Sequence, residues 1–383
     1  MRYSVGIVGG GQLARMMHQA AISLGIDVRL LAEGEGVSAA QVIPDAFVGD
    51  YTDHDDLLRF AEGVQVLTFD HEHVPTKHLR EMTDVAVRPG PDALQYAQDK
   101  ADMRERLSAL GVACPAFKVC EGVEDAVAFG DAQGWPIILK TSRGGYDGKG
   151  VWKVDGRAEV EEVFASKPEV SAGERVRIVA EEFIDFVREL SAIVVRSPSN
   201  QLVAYPISET VQTGGICVET TTPAPGLDPD RASDLQAMAI RISTELGVVG
   251  ILAVELMEAP DGRIVVNELA MRPHNTGHWT MDGAVTSQFD NHIRAVLDLP
   301  LGAPDLRAPV VVMANVLGGD EEDLTGALQH VYARDRHAHV HLYGKEVKPG
   351  RKVGHVTCYG DDLDDVRRRA RDAANYLMGR NDD

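Results

Sequence analysis

Lys140-Thr141-Ser142-Arg143-Gly144-Gly145-Tyr146-Asp147-Gly148-Lys149-Gly150 lies between two short apolar runs, Trp135 to Leu139 before it and Val151 to Val154 after it. The runs read as strands, so the segment is a loop joining them. Glycines reach backbone conformations closed to other residues, and successive N–H groups can then approach a polyphosphate closely while Lys140 and Lys149 supply charge. The spacing fits neither GxxxxGK[ST] nor GxGxxG. A solvated hairpin turn is the plain alternative. With a lysine at its root and a strand on each side, the segment suits a lid over a nucleotide.

Outward from this loop the chain changes character twice. Toward the N-terminus, Val5 to Val8, Val28 to Leu31, Val64 to Phe69 and Val85 to Val87 read as strands. Gln12 to Leu24 reads as a helix closed by Gly25, so residues 1–112 are expected to form a parallel α/β domain. A helix from about Asp99 to Leu110 leads into a small lid domain, residues 113–182. Residues 183–383 are expected to be a larger α+β domain with an antiparallel sheet: strands at Glu189 to Arg196 and Leu202 to Ile207, a helix at Arg231 to Leu246, and a hairpin centred on Asp261-Gly262. The last eighty or so residues suggest two strands around a basic turn and an Asp/Arg-rich helix, whose charges read as a solvated, internally paired face.

Across 383 residues the formal charge is −21, which argues against a nucleic-acid partner; any phosphate ligand must meet a local basic pocket. Four cysteines show no zinc spacing and suit a reducing compartment. No apolar run reaches membrane-spanning length, and the chain opens on a strand and not on a charged leader. A soluble, cytoplasmic protein is expected.

Gly9-Gly10-Gly11-Gln12-Leu13-Ala14 follows the first strand and opens the first helix as GxGxxA, with Glu33 about 20 residues on where a ribose-binding acid belongs. A phosphate monoester would serve that helix N-terminus as well as a dinucleotide. If Asp261-Gly262 is a two-residue turn, Glu255 lies across from Glu268. Two facing carboxylates repel, and at that separation they are good ligands for Mg²⁺ carrying nucleotide phosphates. Glu181-Glu182-Phe183-Ile184 ends a strand whose edge suits a purine, with Glu189 following for ribose hydroxyls. Met271 to Thr280 packs Arg272, His274, Asn275 and His278 into ten residues just beyond Glu268, a dense supply of donors for a small oxyanion. Tyr343 to His355 is the most basic short stretch of the chain and can meet a phosphate. His337, His339 and His341 alternate on one strand face without a fixed carboxylate or cysteine partner, which makes a metal site there an unfavoured reading.

In this order the motifs GGGQLARM, TFDHEHV, GGYDGKG, EEFI, RELS, NELAMRPHNTGHWT, SQFDNH and GKEVKPGRKVGH resemble the ATP-grasp superfamily. Within it they resemble the N5-carboxyaminoimidazole ribonucleotide synthetases of purine biosynthesis, and the resemblance runs from end to end. It implies an ATP-grasp fold and a ligase that uses ATP, bicarbonate and 5-aminoimidazole ribonucleotide, passes through carboxyphosphate, requires Mg²⁺ and works as a homodimer.

Carried over residue by residue, the resemblance puts Lys100, Lys140 and Gly145, Tyr146, Asp147, Gly148, Lys149 and Gly150 on the ATP phosphates, and Glu181, Glu182, Phe183 and Ile184 on the adenine. Glu189 holds the ribose, with Gln212 near the nucleotide. Glu255 and Glu268 bind Mg²⁺, with Asn267 beside them. Gly11, Gln12, Leu13 and Glu72 face the imidazole ribonucleotide, and Lys345 and Arg351 its phosphate. Tyr146 and Asp147 reach the acceptor from the loop, while Arg272, His274 and Asn275 hold bicarbonate or carboxyphosphate. Asp70 stands where the family often has Glu and Val151 where it often has Gln, and the shorter carboxylate is not expected to reach substrate. Formate-dependent formylation of glycinamide ribonucleotide is an alternative on the same fold. A nicotinamide oxidoreductase would leave the paired glutamates unexplained, and a silent nucleotide-binding regulator would leave idle a full set of candidate acids and bases.

Overall fold

Ser4–Val8 (β1) is apolar on both faces apart from its first residue, and such a strand needs cover from two sides. In the computed structural model, which describes residues 2–144, 150–166 and 176–380, it is the middle of five parallel strands. Asp27–Ala32 (β2) and Val66–Phe69 (β4) flank it, with Asp45–Val48 (β3) and Ala86–Val87 (β5) at the edges. The helices of this part are Gln12–Leu24 (α1), His54–Ala61 (α2), Thr76–Glu81 (α3), Pro91–Gln98 (α4) and Lys100–Ala109 (α5). α1 ends as expected at Gly25, whose φ of 65° lets its N–H turn back to the last carbonyls. Asp99, where the helix was expected to begin, caps α5 by accepting from the N–H groups of Ala101 and Asp102. α4 buries only Ala93 and Leu94, too narrow an apolar stripe to announce a helix.

Four antiparallel strands form a second sheet in the order β6-β9-β7-β8: Phe117–Cys120 (β6), Ile137–Thr141 (β7), Val151–Val154 (β8) and Ile178–Glu182 (β9). Val123–Gln133 (α6) and Arg157–Ala165 (α7) complete it. Among the described residues its buried cluster, which includes Ile137, Leu139, Val160, Ile178 and Ala180, takes no side chain from outside 120–180.

The third sheet has nine strands: Arg188–Arg196 (β10), Leu202–Ala204 (β11), Ser208–Thr213 (β12), Ile216–Thr222 (β13), Gly250–Glu258 (β14), Ile264–Ala270 (β15), Val310–Leu317 (β16), His339–Leu342 (β17) and Lys352–Gly360 (β18). They run in the order β15-β14-β10-β12-β13-β16-β18-β17, with β11 paired to β10. Pro229–Glu245 (α8), Thr280–Gly283 (α9), Gln288–Val296 (α10), Leu324–Arg334 (α11) and Leu363–Leu377 (α12) pack around it. The strand expected over Leu202 to Ile207 stops at Ala204, and the C-terminal part holds β16 and α11 in addition to the two expected strands and helix. α12 is not merely a solvated charged face: Arg367 and Arg371 reach the buried Glu219 of β13 at 2.9 and 2.5 Å.

The first and third sheets share apolar packing. Leu13, Met16 and Met17 of α1 lie in one buried cluster with Phe289, Ile293 and Val296 of α10. The imidazole of His292 reaches Thr68 of β4 at 2.7 Å. Among the described residues no helix is long and apolar enough to cross a membrane.

Asp99 also receives Arg143 at 2.8 Å and Arg177 at 2.9 Å, so one buried carboxylate caps a helix and holds two cations. Asp99→Ala is expected to lower unfolding stability by about 1–2 kcal/mol, through loss of the cap and of one ion-pair partner for each arginine, Arg177 keeping Asp102. Asp99→Asn, which keeps the cap, should fall between variant and parent in urea denaturation.

Candidate active site

The hairpin of β14 and β15 was expected to close through a two-residue turn, and it does not. Pro260, Asp261 and Gly262 form a three-residue loop in which Ala259 donates to the Arg263 carbonyl at 2.8 Å and Gly262 takes a φ of 83°. Next to the loop, Glu258, Met257 and Leu256 pair with Ile264, Val265 and Val266. One further residue, Asn267, then bulges out of β15, and beyond it Glu255 pairs with Glu268. The facing carboxylates are present because a longer turn and a one-residue bulge cancel.

Burial, together with the like charges of Glu268 and Glu189, raises Glu255 well above the usual carboxylate range. Glu189, beside it on β10, is pushed up to about 6 by burial and receives the Gln212 amide at 3.1 Å. Lys100 Nζ stands 3.5 Å from Glu268, and Lys140 Nζ reaches Asn267 Oδ1 at 3.2 Å. The candidate phosphate, ribose and metal residues therefore share one neighbourhood.

The EEFI segment needs correction. β9 is an interior strand, paired with β6 on one side and β7 on the other, so Glu181 offers no free backbone edge. Its carboxylate is buried between Arg104 at 2.7 Å and Lys140 at 2.8 Å. Burial would raise its pKa, but the two cations overcome this and hold it at about 2. Glu182 is engaged as well, accepting from the Ala116 N–H at 3.2 Å and from Arg263. The sheet pairing ends at Glu182, leaving the backbone of Phe183 and Ile184 beyond the ladders. The Ile184 side chain is buried, and Lys153 lies over the Phe183 ring.

After β15 the chain turns past a donor cluster. Arg272 Nε donates to Glu72 at 2.7 Å, joining two residues 200 positions apart. His274 Nε2 is 3.4 Å from Glu255, and its Nδ1 meets Thr276 Oγ1 at 2.9 Å; Thr276 in turn meets Ser191 Oγ at 2.7 Å. Burial, then Arg272 and Lys352, drive the His274 pKa well below its ordinary value, so the ring is neutral. A neutral ring that donates Nε2–H to Glu255 accepts at Nδ1 from the threonine hydroxyl. The Asn275 amide pairs with that of Asn315 on β16 at 3.0 and 2.8 Å.

At the N-terminal turn the protein already supplies anions. Gly10 N–H donates to Glu33 at 2.9 Å, and Asp70 accepts from Gly11 N–H at 3.0 Å and Ala14 N–H at 2.7 Å. The shorter acid at 70 thus reaches the helix N-terminus, and burial raises its pKa. A Cβ at Gly11 would lie 2.2 Å from the Asp70 carboxylate, so any larger residue there would displace that carboxylate from the turn. Leu13 has its side chain in the core and offers only backbone. Lys345 donates to the Gln12 side chain, and its pKa is lowered by burial, with Asp70 opposing and Arg351 adding to the shift. Arg351 is exposed, with Nη1 3.4 Å from the Glu346 carbonyl oxygen. Val151 is exposed on β8. The expectations for Gly145, Tyr146, Asp147, Gly148 and Lys149 fall outside the described residues.

Sequence reasoning passed over Arg104 and Asn315 and gave Ser191 no role, while Thr276 lay among the hydroxyls of the Met271 to Thr280 stretch. Arg104 had a signal: it stands four residues after Lys100 in α5, on the same helix face. Asn315 had none.

Residues 2–98 match the ribonucleotide synthetase preATP-grasp domain, 105–289 the ATP-grasp domain, and 311–369 the phosphoribosylaminoimidazole carboxylase C-terminal domain. The N5-carboxyaminoimidazole ribonucleotide synthase of Mycobacterium leprae is 50% identical, the alignment covering 97% of this chain and 89% of that protein. The chain belongs to the N5-carboxyaminoimidazole ribonucleotide synthases. Among solved structures of that family, the Thermus thermophilus synthetase superposes with a TM-score of 0.86 at 35% identity, covering 98% of each chain. The synthase of Aspergillus clavatus, solved with ADP and 5-aminoimidazole ribonucleotide, gives 0.87 at 28% identity, again with 98% of each chain covered.

Glu255 has its pKa raised by folding, so its contribution to stability is present at low pH and is lost as pH rises through the folded value. Buried histidines such as His274, His278 and His355 act oppositely, since their pKa values are lowered. The difference between parent and Glu255→Gln isolates the carboxylate. In metal-free buffer the variant should melt higher than the parent at pH 8, and the gap should shrink as the pH is lowered toward 5.

Proposed function

We propose that the chain uses ATP to carboxylate the exocyclic amine of 5-aminoimidazole ribonucleotide, with bicarbonate as carboxyl donor, forming N5-carboxyaminoimidazole ribonucleotide, ADP and phosphate. The observation that carries the reading is the facing of Glu255 and Glu268 beside Lys100, Lys140 and Asn267, with Arg272 and His274 next along the chain. Two carboxylates and an amide oxygen are hard donors suited to Mg²⁺, and the raised pKa of Glu255 reflects burial and then the repulsion of Glu268, both of which a divalent cation offsets. Mg²⁺ held there would take up charge developing on the nucleotide phosphates.

Lys100 and Lys140 receive the phosphates, Glu189 takes the ribose hydroxyls, and the free backbone at Phe183 and Ile184 faces the adenine. Arg272, fixed through Nε by Glu72 and through Nη1 by the Pro273 carbonyl, offers the N–H groups left over to bicarbonate, and the His274 ring stands beside them against Glu255. A bicarbonate oxygen attacks the γ-phosphorus and ADP leaves. The amine nitrogen then attacks the carboxyl carbon of carboxyphosphate, phosphate departs, and the nitrogen gives up a proton. With the N–H groups of Gly10, Gly11 and Ala14 occupied, the ribonucleotide phosphate meets the N–H groups of Gln12 and Leu13 together with Lys345 and Arg351. We take the working assembly to be a homodimer on the family resemblance. The names of the relatives lend no support to glycinamide ribonucleotide formylation.

The direct test is ADP release by the purified protein with Mg-ATP and bicarbonate, with and without 5-aminoimidazole ribonucleotide, and product analysis for the carboxylated amine. No stimulation by the ribonucleotide would overturn the reading. Glu268→Gln should abolish ADP release while the fold, followed by circular dichroism, is kept. Arg351→Ala should raise KM for the ribonucleotide about tenfold or more with KM for ATP little changed, as expected for loss of a charge-assisted hydrogen bond of about 1.5–3 kcal/mol. Equal rises in both would give Arg351 a structural role.

A further inference from the structure

Arg104 is a fully buried guanidinium whose three acceptors lie at two places in the site. Its Nε donates to Glu181 Oε1 at 2.7 Å, Nη1 to the Val266 carbonyl at 3.0 Å, and Nη2 to the Asn267 carbonyl at 2.8 Å. The other oxygen of Glu181 holds Lys140 at 2.8 Å. One planar fork therefore grips the strand that anchors the lysine and, at the same time, the β15 bulge from which Asn267 and Glu268 project.

We infer that Arg104 is a positioning residue that sets the distance between the phosphate-binding lysine and the acid pair. Two effects follow from its placement. By sharing the Glu181 charge, it keeps that carboxylate from concentrating on Lys140, so the ammonium remains available to an incoming phosphate. By donating to two consecutive carbonyls of the bulge, it holds the extra residue that brings Glu268 opposite Glu255. Lysine cannot replace it, since an ammonium lacks the rigid fork that meets a carboxylate and two carbonyls in one plane. The inference rests on the nucleotide reading of Lys140 and Glu268.

The test compares Arg104→Lys, Arg104→Met, Glu181→Gln and Arg104→Met/Glu181→Gln in the full-length protein. Thermal melting, calorimetric titration with Mg-ATP, and KM for ATP and for 5-aminoimidazole ribonucleotide are the readouts. The double variant removes one positive and one negative member of the buried Arg104–Glu181–Lys140 trio, so the net charge buried there is unchanged. It should fold, bind Mg-ATP about tenfold to a hundredfold more weakly, and keep its ribonucleotide KM within about twofold of the parent. Its loss should be smaller than the product of the single losses, as for residues acting through one contact. Arg104→Lys, which keeps the charge, should show the same selective loss. Parent-like Mg-ATP binding in a folded Arg104→Lys or double variant would overturn the inference, as would equal rises in both KM values. Failure of the parent itself to bind Mg-ATP would instead overturn the nucleotide reading.

Discussion

Glu255 and Glu268 are held face to face by backbone pairing, and the charge that results shapes what stands around them. Three cations near the pair are each held by a carboxylate: Lys100 by Glu268, Lys140 by Glu181, and Arg272 by Glu72. Lys345 lies in the field of Asp70. A protein of formal charge −21 thereby keeps a basic pocket without leaving its cations loose. An anionic ligand arriving here competes with internal carboxylates instead of filling an empty field, so its gain is the difference between two ion pairs. Such a difference is small for a wrong anion and large only for one that meets several cations at once.

Much of this was legible in the chain, and the reasons differ from place to place. The parallel sheet followed from continuous apolar runs such as Val5 to Val8, and the first helix from its glycine stop, because those signals are local. The Glu255/Glu268 pairing was reached through a wrong turn length that the Asn267 bulge compensated; neither the three-residue loop nor the bulge has a sequence mark beyond a glycine in the turn. Glu181 was misplaced because a strand segment does not reveal whether it will be an edge or an interior strand. Arg104 escaped notice because a guanidinium on a helix reads as a surface charge until a partner, here 77 residues distant in sequence, comes to meet it. Asp70 was discounted for its short reach. The structure brings the helix N-terminus to it instead.

The apolar clusters divide the molecule unevenly. The parallel sheet and the nine-stranded sheet contribute to the same cores, so neither can loosen without exposing side chains of the other. The four-stranded sheet keeps its own core and meets α5 through charged contacts: Asp99 with Arg143 and Arg177, Asp102 with Arg177, and Arg104 with Glu181. Joints of these two kinds answer to different variables. Apolar packing is nearly indifferent to simple salt, whereas the partly exposed members of an ionic seam weaken as ionic strength rises. The boundary that carries Lys140 on one side and Lys100 on the other is therefore the one whose partly exposed ion pairs, Asp99 with Arg143 and Asp102 with Arg177, loosen with electrolyte, while the buried Arg104–Glu181 pair holds it.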